Sequence, residues 1–89
     1  MEMIIRYPVL PEGMTQKELE FQLADILDDG GWLLGAGVDT EGNWLDVELE
    51  DEKSNPKHTI LAVKAYFQRA QFDPRTTIEL AGKPVGIYE

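Results

Sequence analysis

Apolar and polar residues alternate with period two in three places along this chain, and between them run two stretches with helical spacing. Met3 to Val9 is a short β-branched-rich segment, ended by Pro8 and Pro11, and predicts a first strand. Thr15 with Glu18 three residues later forms a capping box, and Met14 and Leu19 stand at the positions of a hydrophobic staple. The spacing predicts a helix from about Gln16 to Asp29 that buries Leu19, Leu23, Ile26 and Leu27 and stops at Gly30-Gly31.

The segment from Leu33 to Glu52, LLGAGVDTEGNWLDVELEDE, predicts a hairpin whose faces differ in chemistry. Turning at Glu41-Gly42, it sets Val38 opposite Leu45, Ala36 opposite Val47 and Leu34 opposite Leu49. Its other face then holds Trp44, Asp46, Glu48 and Glu50 against Asp39, Gly37, Gly35 and Leu33. Asn55 as N-cap and Pro56 at the first helical position open a second helix, to about Gln71, with Ile60, Val63, Phe67 and either Tyr66 or Ala70 inward. Asp73-Pro74 closes it. Thr76 to Leu80 is a fourth strand, and Val85 to Tyr88 is a candidate fifth.

The order β-α-β-β-α-β requires both helices to cover one sheet face, if each crossover is right-handed. Over nearly the whole chain this resembles the ferredoxin-like superfold, an α+β sandwich with an antiparallel sheet of order 4-1-3-2. The resemblance implies one open sheet face, with Met3, Ile5, Leu34, Ala36, Leu45, Val47, Leu49, Ile78 and Leu80 directed at the helices. Arg6 falls on the open face, where Asp46 or Glu48 is its expected partner. The pattern G-x-G-V-D…G-x-W-L-D-V-E-L-E-D, followed by a helix and a short strand, is also similar to small uncharacterised bacterial proteins, and this similarity implies no particular chemistry.

The 89 residues suffice for one domain, residues 1–89, and one core. There is no cysteine, so disulfides and thiolate metal sites are excluded, and a cytoplasmic home is expected. No apolar run approaches the roughly 18 residues of a membrane span, and no secretory signal is visible. The formal net charge is −9 and it is uneven: residues 1–52 carry 14 acids against Arg6 and Lys17, whereas residues 53–89 carry six bases against three acids. Nucleic-acid affinity rests largely on cations that neutralise phosphates, so nucleic acid is not expected as a partner. A basic protein is.

The superfold hosts many activities and selects none. An acylphosphatase would carry an arginine in the loop after the first strand, which here reads PVLPEGMT; an RNA-recognition module would carry aromatics where Asp46, Glu48 and Glu50 stand. Asp46, Glu48 and Glu50 recur at i, i+2, i+4, roughly 6.5–7 Å apart along a strand. Read as an EF-hand loop from Asp39, the segment has Trp44 where glycine is required, so no metal is expected. Gly35 and Gly37 on one strand face allow close approach of a ligand; otherwise they mark a twist or bulge, or a gap over which Trp44 folds. Ser54 and His58, the only serine and histidine, are i, i+4 at a helix start, and capping explains them better than nucleophilic chemistry. Trp44 is expected exposed beside the acids, and Trp32 packed on a helix end.

These residues lead to a non-enzymatic interaction module without cofactor. Asp39, Trp44, Asp46, Glu48 and Glu50 would meet a basic partner, as an immunity or inhibitor protein would. The alternative is a small-molecule- or metal-responsive regulatory domain that uses a Gly35/Gly37 groove and forms a homodimer.

Overall fold

In the computed structural model, which describes residues 1–50, 56–80 and 82–88, the chain is an α+β fold with two helices and an open five-stranded antiparallel sheet. Strand β1 spans Glu2–Tyr7, helix α1 Gln16–Leu27, β2 Gly31–Asp39, β3 Gly42–Leu49, α2 Pro56–Arg69, β4 Thr77–Leu80 and β5 Lys83–Gly86. A single 3₁₀ turn, Asp28–Gly30, joins α1 to β2.

The sheet order is β2-β3-β1-β4-β5, which differs from the expected 4-1-3-2. The first four strands run 2-3-1-4; the tail adds β5 beyond β4, with Leu80 opposite Lys83 and Ile78 opposite Val85. The tail strand lies two residues earlier than the expected Val85–Tyr88, because Ile87 leaves the strand and is fully buried. Its N–H donates to the Thr76 carbonyl.

Alternation sets the central register. Met3, Ile5 and Tyr7 of β1 and Leu45, Val47 and Leu49 of β3 are all buried, with Met3 opposite Val47 and Ile5 opposite Leu45. A one-residue slip of β1 would expose all three of its core side chains, at about 1.5–3 kcal/mol each. Leu19, Leu23 and Leu27 of α1 and Val63, Tyr66 and Phe67 of α2 join the same core cluster, so both helices cover one face. Glu2, Ile4 and Arg6 therefore point to the other, open face, as do Trp44, Asp46 and Glu48.

Thr15 caps α1 as expected: its hydroxyl oxygen accepts from the Glu18 N–H at 3.1 Å. Helix α2 ends at Arg69 rather than Gln71. The Phe72 N–H donates to the Phe67 carbonyl and the Gln71 N–H to the Gln68 carbonyl, with Gln71 at φ 60°. This is a Schellman motif with glutamine in the left-handed position. Its accompanying apolar contact is the edge-to-face pair Phe67–Phe72, with centroids 4.5 Å apart. The expected cap Asn55, and Ser54 beside it, lie outside the described residues.

The β2-β3 hairpin departs most from expectation. Asp39 pairs with Gly42 and Gly37 with Trp44, so the turn is Thr40-Glu41 and not Glu41-Gly42. Asp39 closes it, its carboxylate accepting from the Glu41 N–H at 2.8 Å. Gly42 instead opens β3 at φ 118°, where a Cβ would lie 3.3 Å from the Pro8 Cα. The register breaks again between Leu33 and Gly35. This bulge adds one residue to β2 and reverses the facing of everything before it. Leu33 lies opposite Val47 and packs against the core, whereas Leu34, expected inward opposite Leu49, is exposed. Ala36 is opposite Leu45 rather than Val47, and Val38 opposite Asn43; both are exposed, since β2 is an edge strand that the helices leave partly uncovered.

Candidate interaction surface

The bulge also relocates Trp32. It pairs with Glu48, its exposure is 47%, and it stands on the open face instead of on a helix end. Trp44 is only half-exposed. Its indole lies over Gly37, where an added Cβ would meet Cζ2 at 2.6 Å. Of the two glycines, Gly37 is thus covered by Trp44, while nothing stands within 4 Å of a Cβ placed on Gly35.

Arg6 has three carboxylates around it. Nη1 is 3.3 Å from Asp39 and 3.8 Å from Glu41, and Nε is 3.7 Å from Glu79. Neither Asp46 nor Glu48, the expected partners, is among these. The register explains the change: Arg6 sits between Trp44 on β3 and Thr77 on β4, whereas Asp46 is opposite Ile4 and Glu48 opposite Glu2. The Asp39 carboxyl is held below the usual carboxylate range, chiefly by the Glu41 N–H and then by Arg6.

Around Ile4 the balance is acidic. The Glu2 carboxyl titrates above its ordinary value, mainly because of the Asp46 charge, then burial, a hydrogen bond with Asp46, and the charges of Glu48 and Glu79. The Met1 amino group lies 3.3 Å from Glu48. Asp46 Oδ1 is shut off from solvent and receives no hydrogen bond. That is an acceptor without a donor, in a position where unmet acceptors are costly. An open hollow of about 350 Å³ lies beside it, lined by Ile4, Arg6, Asp39, Trp44 and Asp46.

Four of the five acidic-face residues read from the sequence, Asp39, Trp44, Asp46 and Glu48, thus share this open face. Glu50 follows the end of β3, with its N–H held by the Gly30 carbonyl. Sequence reasoning missed Glu2, Ile4, Glu79 and Trp32. The alternation Glu2-x-Ile4-x-Arg6 could have found the first two, whereas Gly35 and Gly37 offered a bulge only as one alternative, without its consequence of turning Trp32 outward. His58 is exposed on α2. Among the described residues, no group of three His, Cys, Asp or Glu could hold a metal ion, and no helix is long and apolar enough to cross a membrane.

No protein-family model matches this chain, and no curated protein or solved structure is significantly similar to it.

Proposed function

We propose that this chain is a non-enzymatic, cytoplasmic protein-interaction module of ferredoxin-like architecture, whose open sheet face docks a basic protein, in the manner of an immunity or inhibitor protein. The architecture is supported by the 2-3-1-4 order of its first four strands, which is 4-1-3-2 counted from the other edge. The observation that carries the functional reading is the composition of the open face. Among the described residues, Glu2, Asp39, Asp46, Glu48 and Glu79 stand there with one basic side chain, Arg6, and two indoles. Acids of this density steer a cationic partner and raise its association rate, while an aromatic side chain supplies the area that holds it. Trp32 is the more available anchor and Trp44 the more buried one.

The test is affinity capture with the wild-type chain and the double variant Asp46→Lys, Glu48→Lys, at low and at high salt. The wild type retains basic proteins, their association slows by about tenfold or more as salt rises, and the double variant loses both retention and salt dependence. Identical retention by the two forms would refute the proposal.

A further inference from the structure

We infer that the hollow between Ile4 and Trp44 receives a single arginine side chain of the partner protein. This rests on the acidic-face reading and narrows it to one site and one cation. The hollow has a half-buried indole on one wall, an aliphatic side chain, Ile4, in its lining and carboxylates at Asp39 and Asp46. These suit the parts of an arginine in turn. The methylene stem is apolar, the planar guanidinium stacks on aromatic faces, and its edge offers N–H donors in a fixed fork.

The charge around the hollow suits the same ligand. Arg6 is already surrounded by Asp39, Glu41 and Glu79, so the one cation among the described lining residues is matched by more than one carboxylate. Asp46 stands apart from that arrangement. It lines the hollow and has a like-charged neighbour in Glu2. An incoming guanidinium sets a positive charge beside Asp46 and so offsets the repulsion between the two carboxyl groups. An ammonium group would relieve the repulsion too, but it has no flat face to set against Trp44. The register brings these contributors together: Ile4 and Asp46 are directly opposite on β1 and β3, and Arg6 and Trp44 form the next pair on the same face.

Nuclear magnetic resonance titration of the full chain tests this, with N-acetyl-arginine amide and N-acetyl-lysine amide as probes at low salt. The arginine probe should shift the Trp44 indole N–H and the Ile4 methyl resonances and bind about threefold or more tighter than the lysine probe. Asp46→Asn should weaken the arginine probe by about tenfold, while Asp25→Asn, exposed on helix α1 and away from the open face, changes it less than about twofold. Equal affinity of the two probes, or indifference to Asp46→Asn, would overturn the arginine site. Polyarginine and polylysine titrations separate this failure from that of the broader reading. If they shift open-face resonances other than those of the hollow, the acidic face stands and the pocket falls. If neither polymer shifts any open-face resonance, both fall.

Discussion

The Trp44 indole occupies the space above Gly37 that any larger residue would need. A Cβ there would stand 2.6 Å from Cζ2 and 2.8 Å from Cε2, both far inside van der Waals contact. The glycine on β2 is therefore the floor on which the indole lies, and the indole in turn forms a wall of the hollow above Ile4. Gly37→Ala should displace the ring and destabilise the fold by about 1–3 kcal/mol, the usual range for overpacking. Gly35→Ala meets nothing within 4 Å and should stay within about 0.5 kcal/mol of wild type. Urea unfolding monitored by tryptophan fluorescence compares them, and equal midpoints for the two variants would contradict this account of Gly37.

How far the sequence foretold this arrangement depended on whether the controlling interaction was local. The alternation in β1 and β3 was legible because each strand has one face in the core, and Met3, Ile5, Leu45 and Val47 can point only there. The Thr15 cap was legible because donor and acceptor are three residues apart. The hairpin register was not. Glu41-Gly42 looks like a turn, but the positive φ of Gly42 serves a close approach to Pro8, and that contact joins segments more than 30 residues apart. The bulge at Leu34 was legible only as one reading of Gly35 and Gly37, since LLGAG fits regular alternation equally well. Among the acids, strand parity alone put Asp46 and Glu48 on the open face; pairing Arg6 with Asp39, Glu41 and Glu79 required the true register.

The end of α2 offers a gain in stability. Gln71 holds a left-handed conformation at φ 60° in the position where glycine is most common. A side chain there costs roughly 1 kcal/mol relative to glycine. Gln71→Gly should raise stability by about 0.5–1 kcal/mol, with both capping hydrogen bonds kept. A lower thermal midpoint for the variant would show that the Gln71 side chain contributes more than its backbone strain removes.

Glu2 gives the open face a pH signature. Its carboxyl titrates above the ordinary value of 4.5 because the ionised form is repelled by Asp46 first, with burial and the charges of Glu48 and Glu79 adding to this. A raised folded-state pKa contributes stability that is present below the unfolded value and lost as pH rises through the folded value. Glu2→Gln keeps that position neutral at every pH. The variant should therefore have the higher urea midpoint at pH 7 and show no advantage at pH 3, where wild-type Glu2 is itself protonated. An equal difference at both pH values would assign the effect to something other than charge.

Leu33 and Leu34 separate the bulged strand from a regular one. Regular alternation from Ala36 would turn Leu34 inward and Leu33 to solvent, whereas the break in register between Leu33 and Gly35 reverses this. Leu33 packs against the core cluster and Leu34 is 54% exposed. Burial of Leu33 is partial, so Leu33→Ala should cost about 1–2 kcal/mol, less than the 2–5 kcal/mol of a fully buried leucine. Leu34→Ala should lie within about 0.5 kcal/mol of wild type. The same inversion governs the interaction surface, because the residue before Leu33 is Trp32, and only a bulged β2 sets its indole beside Glu48 on the open face. Iodide or acrylamide quenching of a Trp44→Phe variant, in which Trp32 is the sole fluorophore of its kind, should then show a solvent-accessible indole. Should Leu34→Ala prove the costlier substitution and Trp32 resist quenching, β2 runs without its bulge and Trp32 is no anchor.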